Sequence, residues 1–587
     1  MPGLRSLAYR LKSWLRRRDV TVWYSPAYRI PLSGLEQSAG VEPRRADFVA
    51  WWLLESGAVP ASSLRAPHRI PFADLDRVHT LELLDSLGRP ETLARIFAVD
   101  PSDVPTDELV NTARLACGGT LEAARETLRT RAPALNLLGG FHHAGPGSAG
   151  GFCPMNDVAA ALAALRAEGF EGTAVVLDLD AHPPDGIAGC LASDAPSWIG
   201  SISGSDWGPL TRVDETVLPE GAGDDLYLET LEGLLGRMPR PDLAFVLAGG
   251  DVLAGDRFGK LGLTLDGARR RDLRVAVELE GVPSVWLPAG GYSPNAWRVF
   301  AGTGTVVATG ALDPIPADYD PLQARFADIS ATIPQESLGE SGDFSAADLE
   351  EALGLRPQRD RLLLGYYTRS GLEHALYRYG ILDHLTRLGF ERFRVEFDRA
   401  NPGDRLRLFA TSRGREELLL EFVYERRRVA GRDVLYVHWA SLRNPRARFS
   451  EKRPRLPGQE VPGLGLAREA GEMTALMAKR LGLAGVAFRP AWYHTAFGAR
   501  HNFAFVDPGR QGRFEAMVRD LAGLPLREST LAVSEGRILM NGQPYAWEAD
   551  EMAFWLEPAP RDLAAVQAER DRVHFDWNRA PAEGRGA

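Results

Sequence analysis

Lysine is nearly missing from this chain of 587 residues: Lys12, Lys260, Lys452 and Lys479 are the full set, against abundant arginine. That bias reads as codon usage in a GC-rich bacterium and carries no chemistry. Cysteine is as scarce, with only Cys117, Cys153 and Cys190. An odd number confined to the first third excludes a disulfide framework and suits a reducing compartment. No apolar run approaches the roughly 18–20 residues that a membrane-spanning helix needs. Positive charge is not in excess either: a net charge of −10 excludes nucleic-acid binding by overall charge. What remains, 45% hydrophobic and 25% charged residues, is ordinary globular composition. The length allows three to four average domains, or fewer if one α/β domain is large.

Residues 4–18 (LRSLAYRLKSWLRRR) place Leu4, Leu7, Ala8, Leu11, Trp14 and Leu15 on one face at helical spacing. Arginine and lysine crowd the rest. Such a basic amphipathic helix is a candidate for weak contact with anionic lipid or a partner, although packing against the body is its commoner fate. It lacks the apolar core and small-residue cleavage site of a secretory signal, so a cytoplasmic location is expected.

From about residue 20 to 310, short apolar runs alternate with amphipathic helical stretches. The runs ALNLLGG, TAVVLDLD, DLAFVLAGG and VPSVWLPAGG each end in glycine or aspartate. Between them lie MNDVAAALAALRAEG and LYLETLEGLLGRM. This βαβ pattern predicts an α/β fold with a mostly parallel sheet flanked by helices, its ligand site off the carboxyl ends of the strands. Residues 311–358 are rich in Pro, Asp and Ser and read as a linker. An α+β domain is expected over 359–560 and a tail over 561–587.

Four expected strand ends carry the chemistry. They supply His142 and His143 in LGGFHHAGPGSAGGF; Asp178, Asp180, His182 and Asp185 in LDLDAHPPDG; Asp251 and Asp256 in LAGGDVLAGDRFG; and Tyr292 in PAGGY. Singly, a buried histidine is more often a hydrogen-bonded core residue, and a strand-end aspartate more often a helix cap. Together they change the reading, because parallel strand ends converge. Asp180, His182 and Asp251 make a mixed N/O set fit for a divalent metal, with a position left open.

With these motifs in order, the sequence resembles the histone deacetylase family, which includes acetoin-utilisation and acetylpolyamine deacylases. The resemblance spans about 20–310 and includes VHTLELL, ACGGTLEAA (as a Gly-Gly-Thr helix start), GFCPMND and GGDVLAGDRFGKLGLT. The opening YSPAYRIPLSGLE leans towards the class IV branch. The resemblance implies a zinc-dependent lysine deacylase domain. Asp180, His182 and Asp251 would hold Zn2+, and His143 would be general base and then acid. His142 would be its electrostatic partner, Asp185 and Asp178 would orient the two imidazoles, and Tyr292 would be the oxyanion donor. Phe152 and Trp207, with Gly151, Gly290 and Gly291, would shape the substrate tunnel. A structural K+ would sit at Asp178 with a serine near Ser201 or Ser203. Glycine-dense loops and the class IV leaning suggest that longer acyl chains are hydrolysed at least as well as acetyl. The sequence departs from the family at Pro183 and Pro184, which remove two backbone donors beside the metal motif.

After residue 360 the strand–helix order, with GQEVPGLGLA before a helix, resembles the acetyltransferase fold, which would bind acyl-CoA. The Gln459-to-Gly463 spacing is one residue too long, and a turn with a helix cap is the plainer reading. A substrate-presenting or dimerising role, giving a homo-oligomer, is the other expectation. Three alternatives to a lysine deacylase stay open: an amidohydrolase of acetylpolyamine or another small molecule, a binuclear manganese ureohydrolase, and a silenced acyl-lysine reader.

Overall fold

The computed structural model describes residues 12–339, 362–451 and 453–577. They fall into two compact units, Met1–Pro321 and Leu322–Ala587. No helix among the described residues is long and apolar enough to cross a membrane.

The first unit is built on eight strands: β1 (Thr21–Trp23), β2 (Leu64–Arg65), β3 (Ala134–Asn136), β4 (Ala174–Asp178), β5 (Ser197–Ser203), β6 (Val213–Val217), β7 (Leu243–Leu247) and β8 (Ser284–Leu287). Their order is β2-β1-β3-β8-β7-β4-β5-β6, and every pairing is parallel. The central strands are short apolar runs, and β3, β4, β7 and β8 are buried at every residue. That is how a sheet covered by helices on both faces reads in sequence. Register then sets function, because Asp178 of β4 pairs with Ser201 of β5 and with Leu247 of β7, which in turn pairs with Leu287 of β8. The residues that follow therefore leave the sheet side by side. Backbone bonds continue past the strands, from Leu179 N to Leu247 O (3.0 Å), Ala248 N to Leu287 O (2.8 Å) and Gly250 N to Gly290 O (2.9 Å).

Two expectations in this unit shift. ACGGTLEAA is not a helix start: it lies inside the 25-residue helix Thr106–Thr130. Of the N-terminal basic segment only the part from residue 12 is described, where 12–16 is helical with Trp14 and Leu15 exposed. Lys12 and Arg16 both pair with Asp313; residues 4–11 lie outside the described residues.

The second unit holds a seven-stranded sheet and a three-stranded one. The strands are β9 (Glu391–Arg399), β10 (Asp404–Ser412), β11 (Arg415–Val429), β12 (Arg432–Leu442), β13 (Gly485–Phe488), β14 (Ala504–Phe505), β15 (Ile538–Met540), β16 (Gln543–Tyr545), β17 (Met552–Trp555) and β18 (Phe575–Trp577). The larger sheet runs β14-β17-β13-β12-β11-β10-β9 and the smaller β16-β15-β18. β12 and β13 pair in parallel, with the helix Ala467–Arg480 between them in sequence. The stretch GLEHALYRYGILDHL lies across two helices, Arg369–Arg378 and Ile381–Arg387, separated where Gly380 turns left-handed at φ 73°.

The stretch expected as a linker carries the helix Pro321–Thr332, because Leu322, Phe326 and Ile329 form an apolar stripe at i, i+4 and i+7, and the first two are buried. Residues 340–361 lie outside the described residues. The expected tail likewise contains the helix Leu563–Arg572 and β18, pinned by buried Val566, Val573 and Phe575; 578–587 lie outside the described residues.

Candidate metal centre and active site

Four loops leaving β3, β4, β7 and β8 meet at one point. Asp180 and His182 follow β4, and Asp251 follows β7. One ligand atom from each lies within 4.8 Å of the others. His182 Nδ1 is 2.9 Å from Asp251 Oδ2 and 3.2 Å from Asp180 Oδ1. Both aspartates are wholly buried. Burial pushes the Asp251 carboxyl up to about 7, and neighbouring Asp180 adds to the push. Burial also pulls His182 down, but the two carboxylates outweigh it and hold the ring at about 11. Two carboxylates this close and this dry can both ionise only beside a cation. An N, O, O set with an open side meets that need with a divalent metal, and zinc accepts such ligands. The donors present fit the ion.

The tandem histidines stand beside the triad, each on its own carboxylate. His142 Nδ1 is 2.9 Å from Asp178 Oδ2, and His143 Nδ1 is 2.7 Å from Asp185 Oδ1. Their rings lie 4.0 Å apart between centroids. Burial opposes charge on His142, but Asp178 and Asp180 outweigh it and raise the ring to about 9. For His143, burial and then the His142 charge win, and its pKa falls below the ordinary value. Adjacent imidazoles thus carry opposite tendencies, the charged form favoured on His142 and the neutral form on His143.

Pro183 and Pro184 do not disturb this arrangement. The Pro184 carbonyl accepts from Ala188 N at 2.9 Å, opening the helix Asp185–Cys190, and Asp185 still reaches His143.

Tyr292 lines both the mouth of the site and a cavity behind it. Burial, then Asp180 and Asp251, hold its phenol well above the ordinary value, so the hydroxyl keeps its proton. Its backbone N donates to Asp256 Oδ2 at 2.7 Å, which gives that aspartate a bracing place. The open cleft of about 390 Å³ is walled by His143, Gly151, Phe152, His182, Trp207, Phe258 and Tyr292. Trp207 stacks on His143 at 5.2 Å, and Phe152 and Phe258 flank Tyr292 at 5.1 and 4.9 Å. Phe152 is left-handed, at φ 63°, an uncommon conformation for a bulky side chain that clusters at functional sites. Gly290 N donates to Asp180 Oδ2 at 2.7 Å, while Gly291 packs behind it on Ala296.

Several glycines of these loops mark close approach, although Gly150 at the cleft has open space beside it. A Cβ on Gly151 would strike the His143 ring, and one on Gly290 would meet Asp180 and Asp251. Behind the triad the cavity is only about 40 Å³, walled by Ile30, Leu35, Phe97, Leu109 and Leu138. It has room for a few waters, at about 10–15 Å³ each. These glycines mark close approach of backbones, so they are no sign of a deep pocket.

Sequence reasoning missed three contributors. Phe258, in GDRFGK, completes the aromatic mouth. Arg45, half-buried, lines the rear cavity with its Nε unpartnered. Asp157 accepts from Gly140 N at 3.0 Å, Phe141 N at 2.7 Å and Thr120 Oγ1 at 2.7 Å, clamping the loop that carries the histidines. Only Asp157 had a visible signal, an acid directly after Asn156 at a helix start.

In the second unit, Gln459 Oε1 accepts from Leu456 N at 3.1 Å, and Arg453 donates to Gly463 O. Glu469, in the first turn of Ala467–Arg480, is 1% exposed. An acid sealed at that helix start opposes a phosphate there.

Comparison with known proteins follows this geometry. A histone deacetylase domain matches residues 40–305. Histone deacetylase 2 of Arabidopsis thaliana is 31% identical over 300 residues, covering 48% of this chain and 77% of that protein. An uncharacterized protein of Picosynechococcus is 32% identical over 256 residues, covering 41% and 83%. The crystal structure of an acetylpolyamine aminohydrolase from Burkholderia pseudomallei aligns at 21% identity and a TM-score of 0.40, over 50% of this chain and 99% of that one.

Proposed function

The chain belongs to the histone deacetylase family, and from that premise we propose that its first unit is a zinc-dependent hydrolase that removes short acyl groups from acyl-lysine. One observation carries the reading: Asp180, His182 and Asp251 converge beside two His–Asp pairs at a cleft with an aromatic mouth. Zinc held by that triad would supply Lewis acidity to the amide carbonyl and acidify water. His143, neutral and oriented by Asp185, takes the proton from the attacking water and returns it to the leaving amine. His142, held charged against Asp178, stabilises negative charge nearby. The protonated Tyr292 hydroxyl donates to the developing oxyanion. The methylenes of a lysine side chain suit a slot between Phe152, Phe258 and Trp207. Arg45 suits the carboxylate product. Ser201 Oγ, buried without a hydrogen-bond partner beside Asp178 in the register of β4 and β5, supports a monovalent cation there, whereas Ser203 is engaged by Glu215 at 2.8 Å.

The test is turnover by the zinc-loaded full chain on acetyl-, butyryl-, octanoyl- and myristoyl-lysine forms of one peptide, with an acetylated polyamine alongside. We expect kcat/KM to fall beyond butyryl. A preference for myristoyl would show that the rear cavity opens on binding, and turnover of the polyamine alone would move the substrate class. Two metals per chain would favour the binuclear alternative.

A further inference from the structure

Beneath the metal triad lies a buried guanidinium that the mechanism above does not use. Arg271, on the helix Leu265–Glu278, is wholly buried, as is its neighbour Asp272. Its Nη1 donates to two carbonyls at once, Leu179 O at 3.1 Å and Gly249 O at 3.2 Å. Leu179 immediately precedes Asp180, and Gly249 stands two residues before Asp251. The same side chain donates through Nε to Asp272 Oδ1 at 2.8 Å, and Asp272 Oδ2 accepts from Thr303 Oγ1 at 2.6 Å. Thr303 belongs to a second helix, Ala296–Thr309. The β4 and β7 loops touch directly above, since a Cβ on Gly249 would fall 2.7 Å from Asp180 Cα.

We propose that Arg271 and Asp272 are positioning residues that set the spacing of the two metal-binding carboxylates by tying both of their loops to the helical layer through one planar fork. This rests on the reading of Asp180, His182 and Asp251 as a metal site. The geometry favours a mechanical role. Asp272 cancels the guanidinium charge, so the pair brings no net charge under the triad. What it brings is direction: one nitrogen bridges two strand-end carbonyls, one on each metal-binding loop. A lysine would keep the charge and lose the fork. Groups that orient metal ligands from behind typically govern metal affinity by about 10–100-fold.

The experiment uses the full chain stripped of metal. Zinc affinity is measured by chelator competition, Co2+ is added for its ligand-field absorption, and thermal melting is followed without metal. Arg271→Lys is expected to melt near the wild type, to bind zinc about 10–100-fold more weakly, and to show altered Co2+ bands. Unchanged zinc affinity and Co2+ bands would overturn the inference. Should Arg271→Lys fail to fold, Thr303→Val decides: it leaves the guanidinium and frees only one oxygen of Asp272. A smaller loss of zinc affinity with unchanged melting supports the strut, and no loss overturns it. A wild type that binds no zinc would sink the metal reading and this inference together; an unaffected variant sinks this inference alone.

Discussion

The two units use β-structure in opposite ways. In the first, strands of two to seven residues point the same way, and those at the centre are buried throughout. In the second, β9 to β12 run 9 to 15 residues, antiparallel, with buried positions mixed among half-exposed and exposed ones. A parallel sheet gathers its carboxyl ends along one edge, so ionisable residues from distant sequence segments meet there. An antiparallel meander sends alternate strand ends to opposite edges and gathers nothing. The second unit's enclosed space is accordingly apolar, a cavity of about 60 Å³ between sheet and helices lined by Leu376, Leu406, Phe422, Met473 and Met477.

If convergence at strand ends makes the first unit the chemical one, its largest vulnerability is His143. His143→Ala is expected to lower kcat by about 10²–10⁴, the usual worth of a general base, with thermal melting unchanged. His142→Ala should cost less. Because His143 titrates below its ordinary value partly through the His142 charge, the acid limb of kcat/KM should lie below pH 6.5 and move upward in His142→Ala. Equal losses in the two variants, or the reverse order, would overturn the assignment.

Next in size is Tyr292→Phe, which removes one hydroxyl and keeps the ring between Phe152 and Phe258. Loss of one oxyanion donor costs about 10²–10³ in rate, and zinc content should persist. A variant that keeps most of its kcat would place that donor elsewhere.

The comparison would break if the second unit also bound a charged ligand. Calorimetry of the full chain with coenzyme A is expected to show no saturable heat at millimolar ligand, given the sealed Glu469. Saturable binding, weakened by Gly463→Val, would show that the loop opens to receive a phosphate.

The smallest effect concerns acid stability. His494 is half-buried with an unpartnered Nδ1, and burial alone lowers its pKa to about 4. The unfolded chain takes up a proton near pH 6.5 that the folded ring refuses. Its share of stability is therefore complete above that pH and is lost as pH falls towards 4. Melting of the second unit should track this window, and His494→Gln should flatten it. A slope untouched by the substitution would assign the acid sensitivity to other groups.

The contrast also explains what could be read in advance. Strand ends such as LDLDAH and LAGGD are compact signals, because one short segment carries both the buried run and the ligand. Parallel register brings the triad residues to one edge, whereas the two His–Asp pairs are expected only from the family resemblance. Arg45, Phe258 and Arg271 were not legible, since each acts across the fold on partners set by helix packing. The helix at 321–332 was hidden by flanking Pro and Asp that mimic a linker, although Leu322, Phe326 and Ile329 carried its period. Gly151 and Gly290 look like room in the sequence, whereas in the structure they mark close approach to His143 and the two aspartates.

The Asp157 clamp bears on the order in which the active site acquires its shape. The amides of Gly140 and Phe141 find their acceptor in an aspartate at the start of the helix Asp157–Ala167. The loop presenting the histidines therefore cannot settle until that helix has docked, and it cannot loosen while the helix stays. In hydrogen–deuterium exchange, those two amides should behave like core strand amides despite belonging to a loop, opening only when the surrounding layer opens as a whole. Catalytic geometry here is inherited from the core, and heat should abolish activity and core structure in a single step.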